Sequence, residues 1–266
     1  TESNTALREV LRILAGITNT PPFNPPSTAN GRIIGYLSSY LILEGKQYEG
    51  IGYPNLLVAK NRLSMAQEIA SSITGLGLNL SNNDLGYIGN INFDEAEKVL
   101  KELRHGMLNP RQFVDFLNLL KSGKAYDGAG KKVSKKELKS ICQDIIALRD
   151  PWRAEWLGAR FDQSPTGIIM TYNASPSGGS VTKDISQITL MKNKLPGISL
   201  EGWLDDANVH GLPKPNVGEG KLYYWMPIDG AVARFVAFSD GSYLYCDRDP
   251  SDRNSQLGVR VAREKN

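Results

Sequence analysis

The sequence predicts a mixed α+β fold, and two patterns carry that reading. Apolar residues at helical spacing fill several stretches between residues 56 and 148. After Gly220 the spacing switches to period two, as in an antiparallel sheet. Helices early and strands late argue for a mixed domain rather than alternating βα units. At 266 residues the chain can bury one large core or two small ones. Its 41% hydrophobic and 22% charged residues are ordinary for a globular protein. A net charge of +3 is too small to argue for nucleic-acid binding.

Residues 4–15 read as a short amphipathic helix, with Leu7, Val10, Leu11 and Leu14 on one side. Pro21, Pro22, Pro25 and Pro26 forbid a helix over residues 20–27. The longest apolar run, residues 33–43, is about half the roughly 20 residues that cross a bilayer. It reads as a buried element, and no membrane span is expected. Residues 56–73 carry Leu63, Ala66, Ile69, Ala70 and Ile73 at helical spacing and stop at Gly75. Residues 76–90 are rich in Gly and Asn and predict loops, with a short strand near residues 87–91.

Four further helices are expected. One covers about residues 94–105, with Ala96, Val99, Leu100 and Leu103 inward. The next starts after Pro110, a residue suited to a first helical position, and turns Phe113, Phe116, Leu117 and Leu120 inward. The third opens at Ser134, with Glu137 completing a capping-box pattern, and runs through Leu148. The fourth is short, about residues 200–207. Residues 167–172 predict a strand, and residues 174–180 a surface loop.

Most catalytic chemistry finds no support. His105 and His210 lie in no nucleophile-elbow context and read as structural or surface side chains. Residues 127–134 resemble a phosphate loop only superficially. Ala125 stands where its first Gly belongs, and Lys132 where Ser or Thr should follow the lysine. Asp247, Asp249 and Asp252 form an acidic cluster of the oxygen-ligand kind that calcium favours. Arg248 and Arg253 interleave with them, however, and Asp249 precedes Pro250, so ion pairs and turn hydrogen bonds are the better reading. Cys142 and Cys246 form no metal-type pair and read as two buried thiols. No cofactor and no metal is expected, and the chain is not read as an enzyme.

The C-terminal stretch is the most informative. Phe235, Ala237, Leu244, Cys246, Leu257, Val259 and Val261 form a regular apolar set. Laid over it are Asp229, Ser239, Asp240, Ser242, Tyr243, Tyr245, Asp247, Asp252 and Asn254. Successive strand side chains point to opposite faces. Phe235, Ala237, Leu244 and Cys246 therefore face a core, while Val236, Phe238, Tyr243, Tyr245 and Asp247 face away from it. Tyr, Ser, Asp, Asn and Gly are the vocabulary of antibody-like binding surfaces. This pattern points to recognition rather than catalysis.

A resemblance follows from these residues. Tyr223-Tyr224-Trp225, Val232-Ala233-Arg234-Phe235, Leu244-Tyr245-Cys246, Arg248-Asp249-Pro250 and Leu257-Gly258-Val259-Arg260-Val261-Ala262 occur in that order. The series resembles the variable proteins of diversity-generating retroelements, specifically their archaeal and archaeal-virus branch. The block from Asp150 to Leu157, with Trp152 and Trp156, also resembles that branch. The match covers mainly the last 45 or so residues and leaves the first 80 or so untouched.

The resemblance implies a C-type lectin fold, two helices with antiparallel sheets, carrying a large insertion and an N-terminal helical extension. Residues 1–84 would be the extension, packed on a domain spanning residues 85–266. The insertion would cover about residues 123–220 and the variable region about residues 223–262. Lys214-Pro215-Asn216 departs from the motif of calcium-dependent sugar-binding lectins, so sugar binding is not carried over. The implied function is binding of changing macromolecular targets, proteins above all, at a virion or cell surface. The implied diversification is adenine-directed. From an Asn codon ending in C or T it reaches Ser, Asp, Tyr, Gly, Val, Phe and Ile, but not Met, Gln, Trp, Lys or Glu. Ile228, Asp229, Val236, Phe238, Asp240, Ser242, Tyr243, Asp247, Asp252 and Asn254 satisfy that filter and form the candidate ligand-binding set. Trp225, Met226 and Gln256 do not satisfy it. The other readings are a structural virion or surface protein with a fixed C-terminal domain used for assembly, and a carboxylate-based hydrolase.

Overall fold

The computed structural model describes residues 34–175, 179–186 and 190–265, without the side chains of 67, 68 and 194–196. The expected helix at residues 4–15 and the proline stretch at 20–27 lie outside the described residues. In chain order the strands and helices are β1 (Tyr40–Leu43), β2 (Lys46–Tyr48), β3 (Ile51–Tyr53), β4 (Leu56–Arg62), α1 (Gln67–Gly75), α2 (Phe93–Glu102), α3 (Pro110–Ser122) and α4 (Lys135–Ile146). Then follow β5 (Arg153–Ser164), β6 (Gly167–Asn173), β7 (Ser180–Asp184), β8 (Lys194–Ile198), α5 (Leu200–Asp206), β9 (Leu222–Trp225), β10 (Ala231–Ala237), β11 (Ser242–Arg248), β12 (Leu257–Gly258) and β13 (Arg260–Glu264). The architecture is mixed α+β, with five α-helices and several antiparallel pairings among the described residues.

Local chemistry explains the helix ends. Asn92 and Glu95 form a reciprocal capping box at the start of α2. Asn109 and Gln112 do the same for α3, where Pro110 opens the helix. Gly123, at φ 66°, ends α3 in the left-handed conformation that glycine adopts without steric penalty. The Ser134 side chain accepts from the Glu137 backbone N–H at the start of α4.

Residues 56–73, expected as one helix, divide into β4 and α1. The cause is pairing on both edges: β4 lies between β1 and β13 in a three-stranded sheet. Both of its faces are also covered, with Leu56 and Val58 in one core and Leu57 in the other. A strand buried on two faces shows no period-two signal. Residues 34–84 share one compact unit with the rest of the described chain. The extension expected over residues 1–84 supplies β4, the partner of the closing strand β13, and β1 on the other edge of β4.

The large sheet has the order β7-β6-β5-β10-β11-β9-β8, with β12 also pairing β5. β10 is antiparallel to both β5 and β11. The expectation of a purely antiparallel C-terminal sheet is corrected at β9, which runs parallel to β11. The segment 123–220, expected as an insertion, contains β5, which sits mid-sheet beside β10.

Each face of this sheet meets a different core. On one side Leu157, Phe161, Ala233, Phe235, Leu244 and Cys246 pack with Phe113, Phe116 and Leu117 of α3 and Trp203 of α5. On the other, Ala154, Trp156, Val232 and Val236 pack with Phe93, Ala96, Val99 and Leu100 of α2 and with Leu257, Val259 and Val261. The second core covers β5 and β10 and thins out over β11, where Tyr243 and Tyr245 are only partly buried.

Candidate functional site

The uncovered part of the second sheet face is built from β9 and β11, with Phe238 just past the end of β10. On β11 the buried side chains are Ser242, Leu244 and Cys246, while Tyr243, Tyr245 and Asp247 alternate with them toward solvent. On β9, Leu222 and Tyr224 are buried and Tyr223 and Trp225 stand half-exposed. The parallel register sets Tyr243 opposite Tyr223 and Tyr245 opposite Trp225. Directly opposed side chains on one face are the closest neighbours a sheet provides.

The result is an aromatic ladder. Tyr223 stacks on Tyr243 at 4.8 Å between ring centroids, Tyr243 on Tyr245 at 5.4 Å, and Tyr245 on Trp225 at 6.2 Å. Interplanar angles of 26°, 14° and 17° leave the rings nearly parallel. Phe238 meets Tyr243 edge-on at 5.1 Å and Trp152 at 5.0 Å, extending the ladder. Gly241 allows this packing: a Cβ there would stand 2.7 Å from the Tyr223 ring.

Charges frame the rings. The Arg234 guanidinium lies between Trp156 and Tyr245, 5.6 Å and 5.2 Å from their centroids. The Arg248 guanidinium covers Tyr245 at 4.5 Å and pairs with Asp247 at 3.0 Å. Such cation–π contacts favour a fixed ring orientation. Burial lowers the Arg234 pKa, and the Asp252 carboxylate 3.6 Å away opposes that shift. Burial, and then the hydrogen bond to Asp240, push the Tyr243 hydroxyl up to about 12. Tyr243 is therefore a neutral donor to Asp240 at neutral pH.

Of the ten candidate positions, five touch this face or its charged edge, and three, Ile228, Asp229 and Asn254, lie in loops next to β10 and β11 in sequence. Ile228 is 50% exposed, and Asp229 accepts from the Gln163 backbone N–H. Phe238, Tyr243 and Asp247 belong to the ladder or its charged edge. Asp240 binds Tyr243, Asp252 approaches Arg234, and Asn254 accepts from the Gln256 backbone N–H. The exposure expected of the other two is corrected. Val236 has the outward parity but is fully buried, because α2 and the closing strands cover this part of the sheet. Ser242 is 3% exposed and shares the inner face with Leu244 and Cys246.

Several functional neighbours escaped the sequence reading. Tyr223 and Trp225 were legible from their alternation with Leu222 and Tyr224. Trp152, Arg234 and Arg248 enter through cross-strand geometry that no linear pattern carries.

The remaining chemistry lies elsewhere. A cleft of about 780 Å³ between α2 and β5–β6 is lined by Asp94, Glu97, His105 and Arg160, among others. Its two carboxylates both pair with Arg160, Glu97 at 2.8 Å. Burial pulls both His105 and His210 down to about 4, so each is neutral at pH 7. Cys142 and Cys246 are free and buried, and burial raises the pKa of both thiols. Among the described residues, no group of three or more His, Cys, Asp or Glu is placed to hold a metal ion. Among them, too, no helix is long and apolar enough to cross a membrane. No protein-family model, curated protein or solved structure matches this chain.

Proposed function

We propose that this chain is a non-enzymatic binding protein of the C-type lectin fold, and that its outer C-terminal face is diversified by a retroelement to recognise changing protein targets. One observation carries the reading: a half-exposed aromatic ladder stands on strands whose opposite side chains are locked into a core. Rigid Tyr and Trp rings offer contact area at low entropic cost, and short polar neighbours adapt to the partner. A scaffold fixed from below tolerates exchange above, since exposed substitutions change stability little.

The fold assignment draws support from α2 and α3, which pack against opposite faces of one sheet, and from β13, which pairs with β4 near the start of the domain. The positions open to diversification are Ile228, Asp229, Phe238, Asp240, Tyr243, Asp247, Asp252 and Asn254. Sequencing sibling genes with their flanking DNA tests this reading. The expected result is a template repeat matching the codons for about residues 223–262, an adjacent reverse transcriptase, and tail differences that spare Phe235, Leu244, Cys246 and Val259. Identical tails without a template would replace the reading with a fixed assembly surface.

A further inference from the structure

Positive charge is unevenly distributed along this chain. Residues 121–139 carry seven lysines and no arginine against two carboxylates, Asp127 and Glu137. That local excess of five is larger than the whole chain's formal +3, so the remaining residues are net negative. Folding brings the lysines together. Residues 124–126 and 132–134 run side by side: Tyr126 bridges to Lys132, and the Val133 backbone N–H donates to the Ala125 carbonyl. Ala125 and Val133 are buried, so Lys124, Tyr126 and Lys132 share the opposite, exposed side. A Cβ at Gly123 would stand 3.3 Å from Lys135 Cγ, which places the start of α4 against the end of α3. On α4, Leu138, Ile141, Cys142 and Ile145 are buried, while Lys135, Lys136 and Lys139 are exposed neighbours on the other side.

The nearby carboxylates are committed elsewhere. Asp127 is buried and accepts from the Ala129 and Lys131 backbone N–H groups. Glu137 pairs with Lys60 at 2.6 Å, and Glu201 pairs with Lys121. The other six lysines make no ion pair among the described residues. Lys135 and Lys136 also occupy the first turn of α4, where the helix dipole disfavours positive charge. So much like charge on one face opposes folding, and a polyanionic partner would relieve it. Two exposed aromatic rings border the face. Tyr126 is 55% exposed among the lysines. Tyr36, 80% exposed, adjoins Leu37, whose carbonyl accepts from the Gly128 backbone N–H.

We propose that this lysine face docks on an anionic lipid surface. Clusters of about four to eight basic side chains suffice for such docking, and tyrosine rings suit the headgroup layer, with an apolar body and a polar tip. A nucleic-acid strand is the other common polyanion. Strands of that kind are held in grooves by aromatic faces and guanidinium forks. Here the charges are all lysine, and the hairpin tip, residues 129–132, is exposed throughout. A projecting face of point charges fits a planar layer of headgroups better than a threaded strand. Nothing in this proposal depends on the aromatic ladder being a binding surface.

The test is co-sedimentation of the full chain with vesicles of phosphatidylcholine alone, or of equal parts phosphatidylcholine and phosphatidylglycerol. Binding is expected only to the anionic vesicles. It should fall as salt rises from about 0.1 M to about 1 M, where the screening length shrinks from roughly 10 Å to 3 Å. Each basic side chain near such a surface is worth roughly fivefold in affinity. Replacing Lys131, Lys132 and Lys136 together by Gln should therefore weaken binding about a hundredfold. These side chains are exposed and unpaired, so the Tm should hold. If that variant fails to fold, Lys135→Gln with Lys139→Gln repeats the comparison on α4 alone, with a loss of about twenty-five-fold. The control replaces three exposed lysines elsewhere, Lys98, Lys101 and Lys192, by Gln and should bind within a few-fold of the parent. Equal binding to neutral and anionic vesicles overturns the proposal, as does an equal loss in the control. So does a single-stranded DNA that strips the protein from anionic vesicles at equal phosphate concentration, which would make the face a nucleic-acid site.

Discussion

Val236 separates the two faces of the account most sharply. It has the outward strand parity, and yet it is fully buried, flanked by Ala154 on β5 and Tyr243 on β11. Val236→Thr keeps the side-chain shape and adds a hydroxyl with no partner in an apolar core. That change should cost about 1–3 kcal/mol. Val236→Ala removes two methyl groups at about 0.8 kcal/mol each and leaves a void, for a total of about 2–3 kcal/mol. Val236→Asp buries an unpaired carboxylate and should exceed about 4 kcal/mol, enough to unfold a marginally stable domain. The control is Phe238→Asp, with the same parity two residues on. Phe238 is half-exposed and gives up ring contacts with Trp152 and Tyr243, worth about 1–2 kcal/mol. Urea unfolding followed by tryptophan fluorescence reads all four as shifts in midpoint at constant m. If Val236→Thr stays within about 0.5 kcal/mol of the parent and Val236→Asp remains folded, the covered second face is wrong.

Three further outcomes follow from the same packing. His105 and His210 are held neutral by burial at about 4, against 6.5 for the ordinary side chain. The unfolded chain therefore takes up protons first, and stability should be full above pH 6.5. It should fall by roughly 3 kcal/mol per histidine as pH drops to about 4, and a flat urea midpoint across that window would contradict the assignment. Burial acts to raise the Asp115 pKa, but Arg111 and hydrogen bonds from Tyr53, Lys46 and Tyr48 hold it below its usual value. Asp115→Asn leaves Arg111 buried and uncompensated, so a Tm loss equivalent to about 3–5 kcal/mol is expected. At the aromatic face, Tyr243→Phe loses only an exposed bond to Asp240 and should move stability by less than about 0.5 kcal/mol.

How much of this was legible depended on range. The start of α3 was readable because Pro110 acts within one helical turn, whereas the caps Asn92 and Asn109 were not read and α2 ends three residues before the expected 105. The inner face of β10 and β11 was readable because Phe235, Leu244 and Cys246 alternate with more polar neighbours. β4 was not, since its Leu-Leu-Val start is apolar on both faces. Val236 was misplaced for a related reason. Parity tells which face a residue occupies, and coverage of that face by α2 and β12–β13 is a tertiary fact. Ser242 is different: its parity with Leu244 already placed it inside, and the codon filter overrode that signal. The Arg234 and Arg248 contacts to Tyr245 depend on register between strands, which a single sequence does not carry.

The central claim is that β10 and the inner side of β11 hold the fold, while the outer side of β9 and β11 is free to bind. It is tested most directly by randomising two sets of codons in a displayed library and sorting for protease resistance. One set is Ile228, Asp229, Phe238, Asp240, Tyr243, Asp247, Asp252 and Asn254; the other is Phe235, Val236, Leu244 and Cys246. The first library should retain mostly folded members and yield binders when selected on an arbitrary protein target. The second should lose nearly all of its folded members. Equal losses in both libraries would contradict the claim.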